Sequence, residues 1–144
     1  MENEKKLAIL QNMYAASIAE TVNTYGKLNM LSYAEDAKNV GLSQTAYIIN
    51  SQLDIQTPEQ VITRIAEVFG CANWKIERKM NGFSAIATSC KLWELCKKTG
   101  GANPCKGWCL NPMKAMIAAN DFTIDFSVKS TLKDGEYCQV DLRY

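Results

Sequence analysis

Apolar residues recur at helical spacing through the first half of the chain. They stand three and four residues apart over residues 5–28, 30–39 and 43–53, and again from residue 58 onward. Thr57-Pro58 is the clearest start signal, because threonine caps a helix and proline suits its first position. Gly70 follows the last apolar residue of that stretch and is typical of a helix end. The pattern therefore predicts four helices before residue 71.

The hydrophobic period then changes to two, which is typical of β-strands. Residues 72–79 and 83–88 alternate around Asn81-Gly82, a pair that tolerates the positive φ of a tight hairpin turn. A second alternating pair, residues 122–132 and 138–144, flanks Asp134-Gly135, and it would bury Val128 and Leu132. These elements predict an α+β fold, in which N-terminal helices precede a mainly antiparallel sheet of about four strands covered on one face by helices.

A cysteine-rich segment, residues 88–116, connects the two predicted hairpins. Ser89 is a candidate cap for a helix over residues 90–99, followed by a turn or helical fragment at 104–110 and a helix at 112–119. Two of its cysteines would stand in first helical turns and a third just ahead of one: Cys90, Cys105 and Cys109. The positive end of a helix favours the thiolate form, so the pattern predicts activated thiols here.

Three interpretations of these thiols remain open. They could be small buried apolar residues, the ligands of a metal site, or reactive nucleophiles. The chain has no histidine, which excludes imidazole ligands and Cys-His nucleophile pairs. The cofactor is therefore unknown, with zinc or an iron–sulfur cluster as possibilities. The metal interpretation would use four thiolates, although their spacing differs from that of a zinc ribbon: Cys90, Cys96, Cys105 and Cys109.

Composition limits the classes of partner. A chain of 144 residues predicts a single domain, with residues 1–56 as a helical part and residues 57–144 as the α+β part. The net charge of +1 gives no support for nucleic-acid binding. We expect no signal peptide and no membrane span, and hence a cytoplasmic protein with reduced thiols.

Two pieces of the sequence resemble a known family. One is F-S-A-I-A-T-S-C-K-L-W-E-L at 83–95 with W-C-L-N-P-M-K-A-M at 108–116, and the other is T-L-K-D-G-E-Y-C-Q-V-D-L-R-Y at 131–144. Together they resemble the L-2-amino-thiazoline-4-carboxylic acid hydrolase-like family, within a wider group of 4-vinyl reductase-like ligand-binding domains. The resemblance covers residues 60–144 and carries over Cys90, Cys109, Cys138 and the turn Gly135-Glu136.

The chain also departs from the family. Asn111-Pro112 stands where the hydrolase-like proteins are expected to have a carboxylate. Ser127 and Ser130 stand where zinc-dependent sensor relatives would have metal ligands. These departures weigh against carboxylate-assisted hydrolysis and against a sensor-type zinc site.

The sequence and the resemblance together predict a small-molecule-binding domain with a cysteine-edged pocket between sheet and helices. Its expected ligand-binding residues are Cys138, Trp93, Trp108 and Phe126, with Trp74 and Phe83 as further aromatic walls. The alternative is a hydrolase of a small cyclic C–N or C–S compound, with Cys109 or Cys90 as nucleophile. That reaction would need a proton carrier from among Glu94, Asp125, Glu136 and Tyr137. The resemblance further implies a homodimer formed through the first helix.

Overall fold

The computed structural model describes residues 1–120 and 122–144, and its first part contains the four predicted helices. They are α1 (Asn3–Lys27), α2 (Leu31–Val40), α3 (Leu42–Gln52) and α4 (Pro58–Phe69). The predicted start of α4 is confirmed. The Thr57 hydroxyl accepts a hydrogen bond from the Gln60 backbone N–H, and the Gln60 side chain accepts one from the Thr57 N–H at 3.0 Å. This reciprocal capping box satisfies two amides that the helix itself cannot pair.

Four antiparallel strands form one sheet, so the predicted α+β class is confirmed. The strands are β1 (Lys75–Lys79), β2 (Gly82–Ala87), β3 (Asp125–Ser130) and β4 (Cys138–Arg143), in the spatial order β1-β2-β4-β3. The strand β4 therefore lies between β2 and β3, and β1 and β3 are the edges.

The turn of the first hairpin lies one residue earlier than predicted. Lys79 pairs with Gly82, so Met80 and Asn81 make the turn and Gly82 is the first residue of β2. Gly82 has φ 145°, and a Cβ atom at this position would lie 1.9 Å from the carbonyl oxygen of Leu142 in β4. The glycine is thus required both by its positive φ and by close contact with β4.

The predicted burial of β3 is only partly correct. Val128 is 43% exposed, although it pairs with Val140 of β4, which is fully buried. Directly opposed residues point to the same face of a sheet. Val128 therefore lies on the face that the helices cover, but at a position where the helices leave it partly exposed. Leu132 lies past the end of the strand and borders a cavity described below.

The connection between the hairpins contains α5 (Lys91–Thr99), a π-helix (Lys106–Leu110) and α6 (Asn111–Ala119). Ser89 does not cap α5, contrary to the prediction. The cap is Cys90, whose Sγ accepts a hydrogen bond of 3.5 Å from the Trp93 backbone N–H. Ser89 instead contacts the segment before β1, where its N–H donates a hydrogen bond to the Asn73 side chain at 2.9 Å.

The apolar residues form two core clusters. The larger lies between the sheet and helices α3, α4 and α6, and its fully enclosed side chains include Ile62, Phe83, Met113, Val140 and Leu142. The smaller lies between α1 and α5 and contains Ile18, Ala19, Val22, Leu92 and Cys96. Each cluster draws residues from both sides of the predicted boundary between residues 56 and 57.

The buried side chain of Asn23 fixes α1 against the end of α5. Its Nδ2 donates to the Cys96 carbonyl at 3.2 Å and to the Thr99 hydroxyl at 2.7 Å. Its Oδ1 accepts from the Ala102 N–H at 3.0 Å. One side chain thereby bonds to the last turn of α5 and to the Ala102 N–H in the segment that follows it. In the part of the chain that is described, no helix has the length and hydropathy needed to cross a bilayer.

Candidate functional site

A cavity of about 160 Å³ lies where the two core clusters meet. Five of the six cysteines border it, together with all three tryptophans: Cys71, Cys90, Cys105, Cys109, Cys138, Trp74, Trp93 and Trp108. All six cysteines are free thiols. The remaining one, Cys96, is fully buried between α1 and α5 and does not border the cavity.

Cys71 and Cys90 lie on neighbouring backbone segments at the base of the first hairpin. Ala72 and Cys90 form an isolated antiparallel bridge, and the Lys91 N–H donates to the Cys71 carbonyl at 2.6 Å. The two segments meet because the hairpin brings the chain back alongside its own entry into β1. The hairpin thus delivers two thiols, nineteen positions apart in sequence, to one wall of the cavity.

The other three thiols come from the crossover and the last strand. Cys105 caps the π-helix, and its N–H donates to the Asn103 side chain at 2.9 Å. Cys109 lies within the same π-helix, four residues further on. Cys138 is the first residue of β4 and pairs with Ala87 of β2. As predicted, Cys138 points inward, and the structure brings it to the same cavity as Cys90 and Cys109.

Burial makes these thiols harder to ionise. It raises the pKa of Cys71 and of Cys138 to about 11 and that of Cys105 to about 12. It also raises the pKa of Cys109 well above the ordinary value. Burial raises the pKa of Cys90 as well, although hydrogen bonds from backbone N–H groups at the start of α5 oppose the shift. The prediction that helix starts would favour thiolates is therefore wrong, because the loss of solvation outweighs the helix terminus.

Most of the predicted ligand-binding residues border the cavity. Trp93, Trp108 and Cys138 do so, and Trp74 does as well. Phe126 does not, because the edge strand β3 places it against the larger core cluster. Phe83 is likewise enclosed within that cluster rather than at the cavity surface.

Both predicted nucleophiles, Cys109 and Cys90, border the cavity, but the predicted proton carriers do not. These are Glu94, Asp125, Glu136 and Tyr137, and all four are exposed to solvent. Over residues 1–120 and 122–144, no three His, Cys, Asp or Glu side chains are grouped so that they could hold a metal ion. The predicted four-thiolate set is therefore not assembled, and its member Cys96 lies outside the cavity.

Three of the cavity residues that were not anticipated from the sequence bear on its chemistry. Cys71 follows Gly70 and lies outside the cysteine-rich segment. Tyr14 of α1 stacks on Phe69 with ring centroids 4.9 Å apart. Lys38 of α2 is the one charged side chain among the described residues that border the cavity, and partial burial lowers its pKa. A signal for Cys71 was available in its position beside the hairpin, whereas nothing in the sequence marks Lys38.

Comparisons of the chain with protein-family models, with curated proteins and with solved structures found no match.

Proposed function

We propose that the protein binds a small, largely apolar molecule in the thiol-bordered cavity. The observation that supports this proposal is the joint presence of three tryptophans and five thiols around one cavity of about 160 Å³. Cavities of about 150 Å³ with apolar walls bind benzene-sized guests. The expected ligand therefore contains about one aromatic ring or a comparable alkyl group. This function agrees with the 4-vinyl reductase-like resemblance, which remains a prediction.

Lys38 gives the cavity a polar margin on one side. An ammonium group beside an apolar space favours a ligand with an anionic or carbonyl group at one end. The lowered pKa shows that the charge of Lys38 is already incompletely solvated, so a ligand carboxylate would replace part of the lost hydration. A single ring bearing a carboxylate is therefore the simplest compound that matches both features.

The chemistry of the walls supports binding more than cysteine-dependent hydrolysis. Hydrolysis needs a thiolate or an activated water together with a group that transfers a proton. Here the thiols carry raised pKa values, and the described residues around the cavity include no carboxylate. The hydrolase alternative would thus require that the ligand itself supply the proton carrier.

The test is a titration of the reduced protein with toluene and with benzoate, followed by intrinsic tryptophan fluorescence and by NMR chemical shifts. We expect both to bind, benzoate more tightly, and the preference for benzoate to disappear in Lys38→Met. Cys105→Leu should weaken both ligands, because the larger side chain fills the space. Cys96→Ala removes a thiol outside the cavity and should leave both affinities unchanged.

Two results would contradict the proposal. One is the absence of saturable binding of either ring compound to the folded protein. The other is binding that Cys105→Leu and Cys96→Ala alter equally, since the ligand would then bind elsewhere or respond only to general destabilisation.

We also propose that the protein forms a homodimer through α1. Leu7, Leu10 and Met13 recur at three-residue spacing, and the latter two are 63% and 64% exposed. Apolar residues at this spacing on one helix are typical of a helix–helix contact. Light scattering of the wild type is expected to give twice the mass of the chain, and Leu10→Glu is expected to give a monomer. A monomeric wild type at high protein concentration would disprove the dimer.

A further inference from the structure

The packing of α2 on the π-helix holds Lys38 at the margin of the cavity. Gly107 of the π-helix is buried, and a Cβ atom at this position would lie 3.0 Å from the Glu35 Cγ atom. Glu35 and Lys38 are three residues apart in α2, and residues at this spacing are neighbours on a helix surface. The side of α2 that contacts the π-helix therefore also carries Lys38, which borders the cavity.

The amino group of Lys38 lies in a poorly solvated position without a counter-ion. Both ion pairs of the described residues are made by arginine, so Lys38 pairs with no carboxylate of that part of the chain, Glu35 included. Partial burial lowers the pKa of Lys38. A larger fraction of the side chain is therefore the neutral amine, which is the nucleophilic form of lysine.

An amine beside an apolar cavity favours a ligand that carries a carbonyl carbon. Lysine amines form imines with carbonyl compounds, and Lys38 is the one amine among the described side chains that border the cavity. Tryptophan walls suit an aromatic substituent, and a site that excludes bulk water slows the hydrolysis of an imine. An aldehyde group adds little volume to a single ring, so a one-ring aromatic aldehyde meets both conditions.

We propose that Lys38 captures a one-ring aromatic aldehyde as an imine, with the ring in the cavity that Trp74, Trp93 and Trp108 border. The Lys38 nitrogen adds to the carbonyl carbon, and a C=N bond replaces the C=O bond. The carbonyl oxygen leaves as water with both protons of the neutral amine, so no oxidant or reductant is required. The inference rests on the proposed function, because it requires that the cavity accept the ring.

The cavity thiols are the rival nucleophiles. A thiol adds to an aldehyde through its thiolate, and the resulting hemithioacetal keeps the carbonyl oxygen. Burial raises the pKa of Cys71 and of Cys138 to about 11 and that of Cys105 to about 12, so their thiolates are scarce near neutral pH. Cyanoborohydride reduces an imine to a stable secondary amine and does not fix a hemithioacetal, so the two adducts can be distinguished with all thiols present.

The experiment adds benzaldehyde and cyanoborohydride to the protein near neutral pH, with a phosphine to keep the thiols reduced. Intact mass spectrometry and peptide mapping then follow the benzyl groups. We expect the first benzyl group on Lys38, at least about tenfold faster than on Lys106, because binding of the ring raises the local aldehyde concentration. Lys106 is the matched control, since it is exposed on the π-helix and does not border the cavity.

Two competing compounds test whether the cavity directs the reaction. Saturating toluene should slow the labelling of Lys38 and leave that of Lys106 unchanged, because toluene occupies the space of the ring. The two-ring compound 4-phenylbenzaldehyde should label Lys38 no faster than Lys106, because a cavity of about 160 Å³ accepts one ring.

Variants separate the covalent step from attraction between charges. Lys38→Arg keeps the positive charge but cannot be deprotonated, so it should still prefer benzoate to toluene and should lose the rapid benzaldehyde adduct. Lys38→Met should lose both. Lys106→Arg should retain both. Arginine and methionine are good helix formers, so each variant should fold, and circular dichroism checks this.

The outcomes distinguish this inference from the proposed function. If toluene binds but Lys38 is labelled no faster than Lys106, the imine assignment fails and the binding function stands. If toluene does not bind and labelling shows no preference, both fail. Rapid labelling of Lys38 that toluene does not slow, or that 4-phenylbenzaldehyde matches, would overturn the inference, because the amine would then react outside the cavity. An equally rapid adduct in Lys38→Arg would overturn it as well.

Discussion

Raising the pH should destabilise this protein through its buried thiols. Their ordinary pKa is 9.0, and burial raises the pKa of Cys96 and of Cys138 to about 11 in the folded state. Between these values the unfolded chain loses protons that the folded chain retains. The unfolded state then binds fewer protons, so the free energy of unfolding falls as the pH rises. The stability is unaffected below about pH 8, where both states keep their thiols protonated.

The magnitude follows from the two pKa values. For one thiol with a pKa of 9.0 when unfolded and about 11 when folded, the linkage relation gives a loss of about 1.3 kcal/mol between about pH 8 and about pH 10. Cys96 and Cys138 are 0% and 8% exposed, so solvent screening reduces this little. Together they account for about 2.5 kcal/mol, a large fraction of the stability of about 5–15 kcal/mol that is usual for domains. The other raised thiols add to the loss.

The assay is urea unfolding in the presence of reductant at several pH values across this range. Cys96→Ala and Cys138→Ala should each lower the stability at the lowest pH, because each removes buried atoms. Each should also reduce the pH-dependent loss by about 1.3 kcal/mol. If the wild type and the double variant Cys96→Ala/Cys138→Ala lose the same stability over the range, the thiols do not resist ionisation in the folded state and the electrostatic argument is refuted.

Three further variants test the fold by urea unfolding. Thr57→Ala should lose about 1 kcal/mol with the capping box, whereas Thr57→Ser should be nearly neutral; equal losses would exclude the hydroxyl as the cause. Asn23→Ala should lose about 2 kcal/mol, because it leaves the Ala102 N–H without its partner, and a loss below about 0.5 kcal/mol would show that water replaces the side chain. Gly82→Ala should lose more than about 2 kcal/mol through its collision with β4, and a stable Gly82→Ala protein would show that the strands separate easily.

The elements that the sequence predicted well are those whose determinants lie within a few residues. The Thr57 cap, the glycine after α4 and the alternation in β2 and β4 are local patterns, and each element forms within one or two residues of its predicted position. The displaced hairpin turn shows the limit of such patterns. The sequence singles out Gly82 correctly, but the contact that excludes a side chain there is with β4, about sixty residues away.

The misassignments concern properties that only tertiary packing determines. Val128 alternates correctly with its neighbours, yet its exposure depends on whether a helix covers the edge strand. The thiols of the crossover do stand at or near helix starts, but their protonation depends on how much protein surrounds them. Lys38 reaches the cavity because α2 packs on the crossover, and no local pattern reports that contact.

The sheet order has a consequence for how the molecule assembles. The strand β4 is later in the chain than every other described element, yet it occupies an inner position between β2 and β3. During synthesis on the ribosome, the edges of β2 and β3 that pair with β4 therefore stay unpaired until residues 138–143 have emerged. Unpaired strand edges can pair with strands of other chains, so the chain is prone to aggregation during this interval. Because Cys138 is part of β4, the cavity lacks this wall until β4 has paired with β2.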